Sequence, residues 1–365
     1  EATFESDEFE LKNIVVAAKG GLVAVRLDGG SHTAVELLDG ESLEIKARVD
    51  LPLGRVGFGR SFSADGKSLV VTASTPTAPY EAYLVGSDGK ALPLREETRP
   101  GLDRLGAVDA SIERIGTFDD LEVPLNVYLP GNRPEGERLP VIVTVHGGPA
   151  GSSSIRWNPI HGFLLSRGFA VVEPNVRGST GFGKAYEQAD NGRLRMDALR
   201  DLEAVNRWIR EQPWADPERV VVFGGSYGGY MTYMALGHQP DLWRAGIGLV
   251  GVVNLRTFLE TTTGAIRLAF RDEFGRLEED GEFLDSISPI QVVDRFRAPL
   301  FVYQGQNDPR VPRSEQDQLV GALRARGVTV EYKVAPDEGH SLDHRHNKLA
   351  FVSRVARFLD LVLER

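Results

Sequence analysis

The sequence Gly-Gly-Ser-Tyr-Gly-Gly at residues 224–229 constrains the fold more than any other feature of the chain. It follows an apolar run at residues 220–223 and opens a stretch of helical character. In such a strand–turn–helix context Gly-x-Ser-x-Gly forms a nucleophile elbow, because glycines let the strand and helix approach each other around a strained serine. We therefore predict that the Ser226 hydroxyl points out of a sheet at a helix N-terminus, where developing negative charge is favoured. The alternative is a glycine-rich turn with an idle serine.

From about residue 110 onward, buried apolar runs alternate with helical stretches. The apolar runs lie at residues 141–145, 169–173, 220–223, 246–250, 300–303 and 328–334. The helical stretches lie at residues 160–166, 196–211, 227–238, 313–326 and 348–363. Residues 111–118 and 121–129 predict an antiparallel pair of strands ahead of them. The alternation predicts an α/β-hydrolase domain over residues 110–365, with a mostly parallel sheet and helices on both faces.

The first hundred residues differ, because short β-rich runs alternate there with turn signals. Asp-Gly pairs, which favour tight hairpin turns, recur at residues 28–29, 39–40, 65–66 and 88–89. The predicted strands lie at residues 13–18, 22–28, 32–38, 42–48, 56–63, 68–74, 81–86 and 91–95. Two four-stranded units of roughly 40 residues match the size of β-propeller blades. We predict a partial β-propeller of about two blades over residues 1–100; a single small antiparallel sheet is the alternative.

Two blades cannot close a propeller, which needs about four to eight. The open blade edges would expose unpaired strands. We therefore expect the missing propeller segment to lie upstream on the same polypeptide or on another chain. Whether the protein also forms a homo-oligomer is left open.

The composition excludes several classes of protein. The net charge of −10 disfavours binding to nucleic acid or to an anionic membrane surface. The chain has no cysteine, which excludes disulfides, thiolate metal sites and a cysteine nucleophile. No apolar run approaches the roughly 20 residues of a membrane span, and the acidic start has no signal-peptide character. We expect a cytoplasmic protein, processed or cut from something longer, that needs no cofactor.

A serine nucleophile needs a histidine base and a carboxylate that orients the base. In hydrolases the chain order is serine, acid, histidine, and His238 follows Ser226 too closely to leave room for the acid. His340 lies in a glycine-containing loop just after the predicted strand at 328–334, which favours it as the base. His344 and His346 we interpret as solvent-facing; together with Asp343 they give only a weak metal-site alternative.

The acid should lie in the loop at residues 304–312, which follows the predicted strand at 300–303. Asp308 is the only carboxylate in this loop. An aspartate before a proline is also typical of a turn cap, but its place between Ser226 and His340 favours the catalytic interpretation.

Acyl transfer also needs hydrogen-bond donors for the oxyanion. One donor should be the backbone N–H of Tyr227, directly after the nucleophile. Another should come from the loop His146-Gly147-Gly148-Pro149, in which glycines present N–H groups to a substrate oxygen. We interpret His146 as an orienting residue of this loop and not as a second base. A turn without a catalytic duty is the alternative for the Gly-Gly-Pro segment.

Together, five motifs resemble those of the prolyl oligopeptidase family of serine peptidases, and most closely its acylaminoacyl-peptidase type. The motifs lie at residues 146–149, 175–183, 224–230, 308–312 and 337–340. The resemblance implies Ser226 as nucleophile, His340 as base, Asp308 as its orienter, and Tyr227 and Gly148 as the oxyanion hole. It also places an apolar pocket for the residue before the scissile bond on Val252, Leu255, Phe258 and Val311, although core packing is an almost equal alternative for these four. The family's propeller restricts access to small peptides, which are therefore the expected substrates.

The leading hypothesis is a serine peptidase that cleaves short peptides through an acyl-enzyme. His146 stands where prolyl oligopeptidase has a tyrosine, so a strict proline preference is not expected. A carboxypeptidase-like exopeptidase is an alternative, because arginines could bind a substrate carboxylate. These candidates are Arg267, Arg271, Arg276, Arg310 and Arg313, unless they are solvated or pair with the nearby Asp272, Glu273 and Glu278. A carboxylesterase and a non-catalytic binding protein are further alternatives, and the complete set of serine, aspartate and histidine argues against the last.

Overall fold

Three β-sheets organise the chain. The computed structural model describes residues 2–6, 9–95, 99, 101–102, 105–262 and 264–364. Two sheets have four strands each, and the third has eight. Both small sheets come from the first hundred residues, so the alternative of a single small sheet in this region is wrong.

The two small sheets are antiparallel and follow the chain order. The first contains β1 (Glu10–Val16), β2 (Leu22–Asp28), β3 (Thr33–Asp39) and β4 (Ile45–Arg48). The second contains β5 (Arg55–Phe62), β6 (Ser68–Ser74), β7 (Glu81–Gly86) and β8 (Ala91–Pro93). The four Asp-Gly pairs lie between consecutive strands, as predicted. One apolar cluster, which includes Leu37 and Val71, packs the two sheets against each other.

The eight-stranded sheet has the spatial order β16-β15-β14-β13-β11-β12-β10-β9. Its strands are β9 (Val108–Gly116), β10 (Glu122–Pro130), β11 (Leu139–Val145), β12 (Ala170–Pro174), β13 (Ala215–Gly225), β14 (Ala245–Leu249), β15 (Leu300–Gly305) and β16 (Val330–Ala335). The pairs β9–β10 and β10–β12 are antiparallel, and all the other neighbours are parallel. The carboxyl ends of β11, β13, β14, β15 and β16 therefore meet at one edge of the sheet.

Helices cover both faces of this sheet. They are α1 (Pro159–Ser166), α2 (Lys184–Glu187), α3 (Arg195–Glu211), α4 (Tyr227–His238), α5 (Leu255–Thr261), α6 (Gly264–Phe274), α7 (Gly281–Ser286), α8 (Arg313–Ala325) and α9 (Arg345–Val362), with 3-10 turns at Gly192–Leu194 and Pro289–Arg295. Alternate strand residues enter two separate cores. One core contains residues of α3, α4 and α8, and the other contains residues of α1 and α9. Of the helices in the described ranges, none is long and apolar enough to cross a bilayer.

The first small sheet contacts the loops at one side of the large sheet. The Ile155 N–H donates to the Ser31 carbonyl oxygen at 2.7 Å. The Phe182 ring lies so close to Gly30 that a Cβ on this glycine would come within 2.2 Å of it. The turn at Gly30 therefore has to be a glycine if this contact is to form.

Candidate active site

Ser226 lies in the sharp turn between β13 and α4. Its φ of 56° and ψ of −119° fall in a region that non-glycine residues rarely adopt, and its N–H donates to the Leu249 carbonyl at 2.8 Å. A Cβ on Gly228 would lie 2.1 Å from the Val145 carbonyl oxygen. A Cβ on Gly224 would lie 2.2 Å from the Gly228 carbonyl oxygen. The turn can close only because these two residues lack side chains.

His340 and Asp308 come from the loops that follow the adjacent strands β16 and β15. The His340 Nδ1 and the Asp308 Oδ2 are 2.8 Å apart. The Asp308 side chain has no exposed surface, and that of His340 is 15% exposed. The parallel pairing of the two strands places both loops at the same edge of the sheet as Ser226.

Several donors hold the Asp308 carboxylate. Its Oδ1 accepts from the N–H groups of Arg310 at 2.8 Å and Val311 at 3.0 Å. The buried Gln304 amide donates to Oδ2 at 3.4 Å and, more closely, to the Val311 carbonyl at 3.0 Å. With its orientation fixed in this way, the carboxylate presents one oxygen to the imidazole.

The loop that carries His340 is held by the buried Glu338. Its carboxylate accepts from the N–H groups of Asp343 at 3.1 Å and His344 at 2.8 Å, and from the Asn347 amide at 3.0 Å. Burial tends to raise the pKa of Glu338, but these donors outweigh it, so the pKa lies below its ordinary value. The ionised carboxylate therefore ties the loop to the start of α9.

Ser226 and His340 line the same cavity. Within the described residues no hydrogen bond joins the Ser226 hydroxyl to the His340 imidazole. In enzymes without substrate such contacts are often long and tighten only in the complex. The hydroxyl, the imidazole and the carboxylate thus meet at one edge of the sheet.

The loop after β11 borders the same cavity through Gly147 and Gly148. The Tyr227 N–H lies in the first turn of α4, where it has no acceptor within the helix. His146 supports the loop, because its ring nitrogens lie 2.9 Å from the Gly147 carbonyl oxygen and 2.8 Å from the Ser179 hydroxyl. Burial lowers the pKa of His146. This environment is that of a neutral orienting residue and differs from that of a second base.

The cavity has a volume of about 520 Å³, and five tyrosine and phenylalanine side chains form its aromatic wall. Its further lining residues are Tyr227, Tyr230, Val252, Phe258, Phe270, Phe274, Arg310 and Val311. Phe270 packs edge-on against Phe258 with ring centroids 5.2 Å apart, and lies 5.5 Å from the Phe274 ring. An apolar side chain of considerable size fits beside Ser226.

Three of the four residues expected in the apolar pocket line this cavity, namely Val252, Phe258 and Val311. Leu255 does not line it: its side chain is fully buried in the core, and its N–H donates to the Ser288 hydroxyl at 2.9 Å. Sequence reasoning missed Tyr230, Phe270 and Phe274 as lining residues. Aromatic residues at helical spacing could have indicated a pocket lining, but buried core residues of a helix show the same spacing.

Among the five candidate arginines, Arg310 lines the cavity, and no ion pair of its guanidinium occurs within the described ranges. Arg267 pairs with Glu278 at 2.8 Å, and Glu278 is one of the acids expected as an alternative partner. Arg276 pairs with Glu279, and Arg313 pairs with Asp317.

The histidines near the end of the chain pair with acids. His344 and His346 lie 3.2 Å and 2.9 Å from the carboxylates of Glu338 and Asp337. In the described part of the chain no group of three or more histidine and acidic side chains could hold a metal ion.

Comparisons with known proteins place this site in a family. The profile of the Prolyl oligopeptidase family matches residues 155–365. Dipeptidyl aminopeptidase BIII of Pseudoxanthomonas mexicana is 32% identical over 306 residues, which cover 81% of this chain and 44% of that protein. The acylamino-acid-releasing enzyme of Mus musculus is 30% identical over 232 residues, or 62% of this chain and 32% of that protein.

Solved structures agree with the sequence comparisons. A puromycin-hydrolyzing peptidase of Mycobacterium tuberculosis superposes with a TM-score of 0.86 at 25% identity, over 98% of this chain and 57% of that one. An acylaminoacyl peptidase in complex with Z-Gly-Gly-Phe-chloromethyl ketone gives a TM-score of 0.82 at 25% identity, over 98% and 56%. The chain thus spans about half the length of these relatives. The predicted fold class, an α/β-hydrolase domain preceded by a partial β-propeller, is confirmed, and the chain belongs to the prolyl oligopeptidase family.

Proposed function

We propose that this chain is the catalytic part of a serine peptidase that cleaves short peptides through an acyl-enzyme. The observation that carries the proposal is the convergence of three loops: His340 is hydrogen-bonded to Asp308 and borders, together with Ser226, one apolar cavity. The names of the relatives, which include an acylamino-acid-releasing enzyme, support peptide bonds as the target.

In the proposed mechanism the Ser226 oxygen attacks the scissile carbonyl carbon while the His340 imidazole takes the hydroxyl proton. Asp308 orients the imidazole and stabilises its charged form. The N–H groups of Tyr227 and Gly148 donate to the oxyanion of the tetrahedral intermediate. His340 then gives the proton to the leaving amine, and a water molecule, activated by the same imidazole, hydrolyses the acyl-enzyme.

The aromatic cavity would accept the side chain before the scissile bond. Burying a large apolar side chain there contributes about 1.5–3 kcal/mol. Among the described residues that line the space, only Arg310 and His340 have basic side chains and none has an acidic one. We therefore propose substrates with an aromatic or large aliphatic residue at this position.

The outer face of the second small sheet supports a further part of the proposal, the missing propeller segment. Val70, Leu84 and Leu92 are paired across β6, β7 and β8, so their side chains share one face. They are 41%, 37% and 63% exposed, on the face opposite the packed cluster that contains Val71. We propose that a further blade, on the same polypeptide or on another chain, covers this face and restricts access to small peptides.

Adding the upstream segment of the polypeptide, in line or as a separate chain, tests this part. We expect a stable complex and a higher melting temperature, and Val70→Lys should weaken both. An upstream segment that neither binds nor changes the melting temperature would contradict it. The domain division near residues 100–110, the oligomeric state and the cytoplasmic location stay predictions, to be tested by limited proteolysis, sedimentation and cell fractionation.

A carboxypeptidase-like activity is the second candidate, and Arg310 favours it. This guanidinium borders the cavity next to Val311 and could pair with the carboxylate of a short substrate. The same peptide with a free and with an amidated carboxyl terminus separates the candidates. Equal rates would remove the carboxypeptidase candidate, and a loss on amidation would favour it.

The Ser226→Ala variant tests the proposed function itself. We expect turnover of acylated peptides to fall by about 10⁴-fold or more, because the nucleophile is lost, while the melting temperature changes little. Turnover near that of the unsubstituted protein would refute the assignment. A protein active on esters and inert on every peptide would instead be a carboxylesterase.

A further inference from the structure

A buried ionic cluster lies directly behind the aromatic wall of the cavity. Its centre is Arg195, the first residue of α3, whose side chain has no exposed surface. The guanidinium Nη1 donates to the Asp190 carboxylate and, at 3.2 Å, to the Tyr227 hydroxyl. Nη2 donates to both the backbone carbonyl and the carboxylate of Glu273, each at 2.8 Å. None of these contacts takes part in the proposed chemistry.

Such a cluster has to be well paired to persist. Burying a guanidinium costs several kcal/mol unless partners compensate, and Arg195 has two carboxylates and a carbonyl around it. Burial raises the pKa of Asp190 to about 6 even beside Arg195. A cluster so poorly solvated is a weak source of stability, which points to a positional role.

The cluster joins two elements that line the cavity. Tyr227 follows the nucleophile at the start of α4, and Glu273 lies near the end of α6. The guanidinium also packs on the Phe274 ring, with its carbon 4.5 Å from the ring centroid. The Arg195 side chain therefore holds the helix of the nucleophile and the helix of the aromatic wall at a fixed separation.

Helix α6 has few other connections. In the described ranges, the two hydrogen bonds from Arg195 are the only ones that link α6 to residues outside 255–295. The other side-chain bond of this helix, from Arg267 to Glu278, stays within that segment and is exposed. The position of Phe270 and Phe274 over the cavity thus depends on apolar packing and on Arg195.

We propose that Arg195 is a specificity-determining positioning residue. By holding α6 against Tyr227, it sets the width of the part of the cavity that accepts the side chain before the scissile bond, called the acyl pocket below. The inference rests on the proposed function, because it concerns the side chain before the scissile bond. While Arg195 is bonded to Glu273, the acyl pocket fits an aromatic side chain closely. Without this bond, α6 moves, aromatic substrates lose contacts, and small side chains, which never reached this wall, are affected little.

The test compares N-acetyl-Phe and N-acetyl-Ala p-nitroanilides as substrates of Glu273→Ala, Arg195→Lys and the unsubstituted chain. Glu273→Ala removes the side-chain tie from a partly exposed position, whereas Arg195→Lys keeps the charge but loses the forked geometry. The control is Glu278→Ala, which removes the exposed ion pair between Arg267 of α6 and Glu278, a pair that does not connect α6 to Tyr227 or α3. Active-site titration with an acylating inhibitor counts the competent molecules in every preparation.

We expect the ratio of kcat/KM for the Phe substrate to that for the Ala substrate to fall about tenfold or more in Glu273→Ala and Arg195→Lys, mainly through KM for the Phe substrate. The pH profile of kcat/KM should stay unchanged in all three variants, and the ratio should stay unchanged in Glu278→Ala. Glu273→Ala keeps the bond from Arg195 to the backbone carbonyl of residue 273, so an unchanged ratio in both variants overturns the role of Arg195. Should Arg195→Lys fail to fold, Glu273→Lys takes its place, because its ammonium repels the guanidinium and weakens both bonds; an unchanged ratio there overturns the role as well. Absence of turnover of both substrates by the unsubstituted chain overturns the proposed function as well, so the two failures are distinguishable.

Discussion

The cavity has two walls that are built in different ways. One wall consists of loops at the end of the large sheet and contains Ser226, Gly147, Val311 and His340. Backbone contacts fix it, as in the turn where Gly224 and Gly228 would clash if they carried side chains. The other wall consists of α5 and α6, and side chains fix it: ring packing among three phenylalanines and the guanidinium of Arg195.

This difference separates chemistry from selection. Backbone contacts have little freedom, so the sheet wall can hold reacting groups within a few tenths of an ångström, as acyl transfer requires. A wall held by side chains can change one residue at a time without disturbing the elbow. We therefore expect substitutions in the sheet wall to abolish activity and substitutions in the helical wall to redirect it.

The largest effect should come from Gly228→Ala. The new Cβ would lie 2.1 Å from the Val145 carbonyl oxygen, a backbone atom that cannot move without shifting β11. We expect little folded, active enzyme, measured by melting temperature and active-site titration. The control is Gly321→Ala on α8, where a Cβ meets no atom within 4 Å, and where we expect a gain of up to about 1 kcal/mol. If Gly228→Ala were as active as the control, the backbone constraint would be disproved.

The second effect concerns Asp308, which should matter for chemistry and not for selection. Asp308→Asn keeps the size of the side chain but removes the charge that stabilises the imidazolium of His340. We expect kcat to fall by about 10³–10⁴-fold for Phe and Ala substrates alike. Kinetics on both substrates check the prediction, and a change in their ratio would show that the two walls are not independent.

The sheet wall could be predicted from the sequence because its signals are local. The apolar run at 220–223, the glycines around Ser226 and the helical stretch at 227–238 agree with one another, and the structure places β13 and α4 there. Asp308 and His340 follow predicted strands, so the parallel sheet brings them to one edge. The structure adds how Gln304 and Glu338 hold these loops, which depends on contacts that the sequence does not show.

The helical wall could not be predicted in the same way. Residues 255–295 form short helices whose positions depend on packing, and short helices have little stability of their own. The sequence does not distinguish Phe270 and Phe274, which line the cavity, from core residues such as Leu255, which was expected in the pocket and is buried. Arg195 gives no sequence signal, since an arginine at the start of a helix is usually solvated.

The third prediction tests whether the helical wall selects substrates. Phe270→Ala removes a ring that packs on Phe258 and borders the cavity. We expect kcat/KM to fall about 10–100-fold for the Phe substrate and to change little for the Ala substrate, mostly through KM. Phe283→Ala, a truncation in α7 outside the cavity lining, is the control. An equal fall in kcat for both substrates would mean that this wall also positions the reacting groups.

The smallest effect sharpens the comparison at Glu338, where a side chain and not the backbone holds part of the sheet wall. The pKa of Glu338 lies below its ordinary value of 4.5, since the N–H donors of the His340 loop outweigh burial. A carboxyl with a lowered folded-state pKa contributes stability above the unfolded pKa, and this contribution is lost as the pH falls through the folded value. Glu338→Gln should therefore unfold more easily by about 1–3 kcal/mol at pH 7.

The difference between Glu338→Gln and the unsubstituted chain should shrink steadily below about pH 4.5, because the carboxylate of the unfolded chain takes up a proton there while the native one, with its lowered pKa, is still ionised. Melting temperatures at one scan rate between pH 3.5 and 7 measure this trend. Glu331→Gln, which removes a surface ion pair with Arg354, serves as the control and should change the melting temperature little at any pH. A difference for Glu338→Gln that stayed constant with pH would mean that the shape of the side chain holds the His340 loop, and the sheet wall would then depend on packing as the helical wall does.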